Sequence, residues 1–198
     1  SSDLGMKILI REGSAAKNFD ALIPLMAQYP EQLMFCSDDK HPNDLIKGHI
    51  NTLVRRALQK GYRLMDVLRA ASLNAVRHYH LDVGLLQQGD DADFIVVDNF
   101  SDLNVLQTYV KGRLVAENGL SLIPRRKEEA CNNFHARTLA PEDLRIKDEG
   151  KRIKVIACMD GNLITNTIIA DPKVVDGNLV SDTTRDLLKM VVITRYTP

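Results

Sequence analysis

Ser37-Asp38-Asp39-Lys40-His41-Pro42 follows the apolar run Leu33-Met34-Phe35-Cys36 and sets two adjacent carboxylates beside an imidazole. At the C-terminal end of a parallel barrel strand such a group faces the active-site mouth, where it can bind a metal or pass protons. Asp in that position also commonly caps the next helix or shapes a turn, so residue type and spacing leave both readings open. A second group, Arg11-Glu12-Gly13-Ser14, ends an earlier apolar run and is expected on the same side. Glu12 there can receive substrate N–H groups, pair with Arg11 or Lys17, or face the N-terminus of the following helix.

Other reactive side chains carry less. His49, His78, His80 and His135 lack ligand spacing, and His78-x-His80 follows a helix rather than ending a buried strand, which reads as surface. Cys36 lies inside an apolar run and reads as a packed thiol. There is no GxxxxGK[ST], Gly84 and Gly89 do not form GxGxxG, and no GxSxG occurs. Nucleoside-triphosphate and serine-triad chemistries are therefore disfavoured.

Positioning these groups requires elements the pattern supplies. Met6–Arg11 reads as a strand, followed by a turn capped by Ser14 and a helix over Ala15–Ala27. Leu33–Cys36 is a second strand, and Asp44–Lys60 a helix that Gly61 ends. Two strand-to-helix units in succession argue for parallel strands covered by helices. A third helix spans about Leu64–His78. The period then changes: Ala92–Asp98, Val105–Val110 and Arg113–Ala116 read as short strands, with a Lys111-Gly112 hairpin. Pro124–Pro141, including Arg125-Arg126-Lys127-Glu128-Glu129, reads as a solvated linker or exposed helix. Arg152–Met159, Asn162–Ile169 and Val191–Arg195 complete the expected strands.

The composition bounds the function. The 198 residues carry 26 Lys+Arg against 26 Asp+Glu and are 44% hydrophobic, so a core can form and no global field draws the chain to nucleic acid or an anionic membrane. No apolar run nears the roughly 18 residues of a membrane span, and no signal peptide is seen at the start. Cys36, Cys131 and Cys158 are odd in number and widely spaced, which fits reduced thiols and a cytoplasmic location.

Arg11–Asn18, Phe35–Pro42, Gly48-His49-Ile50 and Ala71–Ala75 together resemble the bacterial adenine deaminases of the amidohydrolase superfamily. Gly89–Val96 and Val110–Val115 are similar to the strand motifs by which amidohydrolases rejoin a small β domain. The stretch through Asp186–Lys189 to Arg195-Tyr196 is similar to the extra C-terminal domain of adenine deaminases.

This resemblance implies α/β plus β: the last two βα units of a (β/α)₈ barrel over residues 1–82, a small β-sandwich-type segment over 83–123, a linker over 124–142 and part of an α+β domain over 143–198. It implies hydrolysis of adenine to hypoxanthine and ammonia at a divalent centre, Mn²⁺ or Fe²⁺. Asp38 would be a metal ligand and proton acceptor, with Asp39, His41 and Glu12 as neighbouring or substrate-touching groups. The superfamily's His-x-His and its Glu, Lys or His ligands on strands four to six are absent, and 198 residues fall short of the barrel's usual size, about 250. The expectation is an internal fragment, inactive alone, whose unpaired strand edges and apolar faces favour self-association into a homo-oligomer. A dihydroorotase- or aminoacylase-like amidohydrolase and a non-catalytic assembly module are the alternatives.

Overall fold

Apolar, strand-forming residues at two places 25 positions apart build the first sheet: Ile8–Arg11 (β1) and Leu33–Cys36 (β2) pair in parallel, Ile8 opposite Leu33 and Arg11 opposite Cys36. Leu33, Met34 and Phe35 are buried, so β2 is covered on both faces, whereas in β1 Ile10 is buried and Leu9 faces solvent. The structure, a computed structural model, describes residues 2–127, 129 and 131–196. Ser1, Glu128, Ala130, Thr197 and Pro198, which belong to the expected 1–82, 124–142 and 143–198 segments, lie outside the described residues.

The connection between β1 and β2 is less helical than the sequence predicts. An α-helical turn, Phe19–Leu22 (α1), passes at once into 3₁₀ turns over Ile23–Ala27 and Pro30–Gln32. Pro24 has no N–H to donate and its ring crowds the preceding turn, so a continuous helix over 15–27 does not form. Ser14 is not its cap. Asn18 precedes α1 and turns its side chain to the strand instead: its Oδ1 accepts from Arg11 N at 2.8 Å and its Nδ2 donates to Leu9 O at 3.3 Å.

The predicted helix over 44–60 is likewise two: Pro42–Leu45 (α2) and Ile50–Gln59 (α3). The chain turns between them at Gly48, whose φ of +145° suits a residue without Cβ. Gly61 ends α3 as expected, its N–H bonding Leu58 O at 2.9 Å. The third helix divides at Ser72 into Leu64–Ala71 (α4) and Leu73–Tyr79 (α5); the Ser72 hydroxyl donates back to Leu68 O at 2.8 Å. Phe19, Ile23, Leu53, Val54 and Val67 close one core against Ile10, Leu33 and Phe35.

Phe94–Val97 (β3), Val105–Val110 (β4), Arg113–Glu117 (β5) and Leu120–Ser121 (β6) form one antiparallel meander. Where a sandwich-type segment was expected, these strands make a single four-stranded sheet. Lys111-Gly112 and Asn118-Gly119 both take positive φ at the two central positions, the turn geometry whose twist matches a tight hairpin. The meander is tied to the helical part, with Leu103 buried in the same core and Arg55 Nε donating to Asp102 O at 2.7 Å. The described residues through Arg125, with Asp160–Leu163, accordingly form one compact unit that spans the 82/83 boundary read from the sequence.

Residues 126–159 and 164–196 form the second unit. It contains two antiparallel hairpins, Ile153–Ala157 (β7) with Asn166–Ala170 (β8), and Lys173–Val175 (β9) with Asn178–Val180 (β10). Its helical content among the described residues is a 3₁₀ turn, Pro141–Leu144. Val191–Arg195, read as a strand from its β-branched residues, is irregular. Its backbone meets another irregular segment, His135 N donating to Arg195 O at 2.8 Å, and strand propensity without an adjacent ladder does not make a strand. No helix among the described residues is long and apolar enough to cross a membrane.

Candidate active site

Parallel pairing of β1 and β2 brings the loops after their C-terminal ends side by side. Ladder bonding continues one step beyond the strands, with Glu12 N donating to Cys36 O at 3.3 Å. The first loop is tight, since Gly13 N bonds Ala16 O at 2.9 Å and Glu12 pairs with Lys17 in an isolated bridge. The second loop crosses it so closely that a Cβ on Gly13 would run into the Asp39 carboxylate. Glycine is required there by space, since its φ is not positive.

The residues expected from sequence to form a site are thus brought together, in different roles. Asp38 stands at the end of β2 with φ 50°, a left-handed backbone that Asp tolerates better than most side chains. Its Oδ2 lies 3.3 Å from Arg11 Nη1, and both side chains are partly exposed. Glu12 points to the helices: Oε2 takes Arg56 Nη1 at 2.7 Å and Oε1 accepts from Phe19 N, at the start of α1, at 3.2 Å. Of the readings left open for Glu12, the geometry shows the one facing the next helix's N-terminus, with Arg56 as ionic partner in place of Arg11 or Lys17. His41 immediately precedes α2, and its backbone N donates to the Ser14 hydroxyl at 3.0 Å.

The contacts of three groups escaped the sequence reading. Ser14 Oγ donates to Asp44 Oδ2 at 2.7 Å, joining the two loops. Arg56 spans Glu12 and Asp20, with Nη2 to Asp20 Oδ2 at 3.0 Å, while its guanidinium lies 4.0 Å from the Phe19 ring centroid. Asp44, read from the sequence as the start of a helix, sits in the first turn of α2, but its partner Ser14 is 30 residues away. Nothing local marks Arg56, whose partner Glu12 is 44 residues away.

Charge follows these contacts. The Ser14 hydrogen bond, then that of Lys47, holds the Asp44 carboxyl below the usual carboxylate range. Asp20 is lowered by its hydrogen bond to Lys60 and by Arg56. Partial desolvation, and after it the positive charge of Lys40, lowers the His49 imidazole. Glu12, Asp44, Lys17, Lys40, Lys47 and Arg56 line a cleft of about 270 Å³ between the loops and α3.

Among the described residues no three or more His, Cys, Asp or Glu side chains converge as a metal site. Asp38 and its neighbours therefore do not amount to a complete divalent-metal donor set. His78 packs edge-on against Tyr79 at the exposed end of α5. Cys36 is half-buried, and Cys131 and Cys158 are exposed free thiols.

Comparison with known proteins adds a lineage to this geometry. Residues 7–115 match the amidohydrolase family. Over 195 residues the sequence is 54% identical to an adenine deaminase of Salinibacter ruber, covering 98% of this chain and 36% of the relative. Adenine deaminases of Parabacteroides distasonis and Methanosarcina mazei are 50% and 46% identical, again over 98% of this chain and 36% and 37% of theirs. The chain thus spans little more than a third of the length of these relatives. Among solved structures, a β-aspartyl dipeptidase of Fervidobacterium islandicum superposes with a TM-score of 0.51 at 23% identity, covering 64% of this chain and 35% of that one. That likeness bears on the fold alone.

Proposed function

Because the chain belongs to the amidohydrolase family, we propose that it works within a longer adenine deaminase, hydrolysing adenine to hypoxanthine and ammonia. The observation that carries this reading is near-continuous similarity, 42–54% identity along 97–98% of the chain, to proteins of that one name. In this reading β1 and β2 are the last two strands of a (β/α)₈ barrel, and the loops bearing Glu12 and Asp38 lie at its mouth, where such barrels carry their chemistry.

Asp38 is the chemical centre of this stretch. Water adds through oxygen to C6 of the purine, the C6–N6 bond breaks, and ammonia leaves. The Asp38 carboxylate takes a proton from the water and returns it to the departing nitrogen, a transfer that a carboxylate within hydrogen-bond reach performs well. Arg11 Nη1 lies 3.3 Å from that carboxylate and holds it at the end of β2. Asp39 and His41 border the substrate, while Glu12, held by Arg56, presents the edge of the first loop to the base. A divalent ion, Mn²⁺ or Fe²⁺, is part of the proposed enzyme and would activate the water. The described residues do not bring a full ligand set together, and the 198 residues alone are expected to be inactive.

The test is ammonia release from adenine by the product of the complete open reading frame, supplied with Mn²⁺ or Fe²⁺, beside the 198-residue chain. The complete product should turn over adenine in preference to dihydroorotate and hydantoin, and the shorter chain should not. Asp38→Asn should lower kcat by about 10²–10⁴-fold. Full activity of this variant would remove Asp38 from the chemistry, and no deamination by the complete product would remove the function.

A further inference from the structure

The first loop meets the second at four successive places: Arg11 pairs with Asp38, Gly13 lies close against Asp39, and the Ser14 hydroxyl bonds both the His41 N–H and the Asp44 carboxylate. The first two contacts are weaker constraints, since the Arg11–Asp38 pair is solvated and Gly13 contributes no side chain. Ser14 alone uses one atom both as donor and as acceptor, and it grips the loop on the far side of Asp38 from β2. A loop bound only at β2 would let the backbone at 38 relax toward the commoner negative φ. Residues held in sparsely populated backbone regions persist where their surroundings over-determine them.

We infer that Ser14 is a positioning residue whose hydroxyl clasps the 37–44 loop and so keeps Asp38 in its left-handed, forward-facing conformation. The inference rests on the proposed role of Asp38 but not on Ser14 touching substrate or metal. Ser14 acts through two bonds, to a main-chain N–H and to Asp44. The low Asp44 proton affinity, for which the Ser14 bond is the first cause, agrees with a clasp that stays closed at neutral pH. Threonine carries the same hydroxyl and should close it; alanine cannot.

The experiment uses the complete open-reading-frame product and four variants: Ser14→Ala, Ser14→Thr, Asp44→Ala and the Ser14→Ala/Asp44→Ala double. Deuterium uptake is followed by mass spectrometry in peptides covering 37–44, alongside steady-state kinetics on adenine. Ser14→Ala should speed uptake in those peptides about fivefold, the order expected for one lost hydrogen bond. It should lower kcat by about 10–100-fold with KM within about threefold, as misplacement of a reacting group does. Ser14→Thr should restore both, and adding Asp44→Ala to Ser14→Ala should cost little more than Ser14→Ala alone, because the bond to Asp44 is already lost with the hydroxyl. Unchanged uptake in Ser14→Ala overturns the clasp. Faster uptake with unchanged kcat overturns the positioning role. If the unsubstituted protein fails to deaminate adenine, the function proposed above is wrong, and the clasp is then decided by uptake alone.

Discussion

The acidic side chains of this molecule owe their properties to whichever donors the backbone delivers to them. Asp182, in the second unit, is the clearest case. It is buried, and it receives the Thr184 hydroxyl at 2.6 Å, Arg185 Nε at 2.6 Å and the Thr184 backbone N at 3.2 Å. The Thr184 bond first and Arg185 second lower its pKa from 3.8 to about 2. The folded form therefore binds the proton less tightly than the unfolded chain. The resulting stabilisation is complete above the unfolded value of 3.8, and it is lost as pH falls through about 2. Thr184→Val should raise the Asp182 pKa toward the ordinary value, measurable by carboxyl-carbon NMR titration, and should move acid unfolding of this unit to higher pH. A titration unchanged by the substitution would show that Thr184 is not the dominant donor.

Between elements, the informative bonds are those that cross from one to another. Asn74, buried on α5, donates through Nδ2 to Pro30 O at 2.9 Å and to Leu33 O at 2.8 Å, the latter at the start of β2. Asn74→Ala removes the donor and leaves two carbonyls facing an apolar side chain. The expected loss is about 1–3 kcal/mol in denaturant unfolding monitored on the first unit; a loss below about 0.5 kcal/mol would mean that water replaces the amide. Asn74 stood in one of the stretches that carried the family resemblance, yet its sequence neighbourhood shows only a helix. β1, β2, the period of α3 and its Gly61 stop were legible because each depends on local pattern. So was the Lys111-Gly112 hairpin, where the turn demands positive φ. Pro24, Gly48 and Ser72 divided helices that periodicity alone ran together, since a hydrophobic stripe continues across a break when both halves face one core. The place of Glu12 just after β1 was legible, but its ionic partner was not: Arg56 is an ordinary helix residue until β1 and α3 are packed together.

For the molecule as a whole, the parallel pair β1–β2 has no further strand on either side among the described residues. Large apolar side chains also stand in solvent, among them Leu4, Ile46 and Leu86, each more than two-thirds exposed. Unpaired edges and apolar surface of this kind promote association. The 198-residue chain should show a mass above that of a monomer by light scattering at high concentration, falling on dilution. A monomeric mass across the whole range would mean that these surfaces repel or rearrange instead.

The buried Leu103 gives the first unit a particular order of assembly. Every other member of its core cluster lies between Ile10 and Ala70, whereas Leu103 arrives from the meander and settles beside α3, where Asn51 Nδ2 reaches its carbonyl oxygen at 3.5 Å. A ribosome makes α3 first and then needs about 2–10 s, at roughly 5–20 residues per second, before Leu103 follows. During that interval the face of α3 that carries Leu53 and Val54 lacks the Leu103 side chain that completes its core in the folded unit.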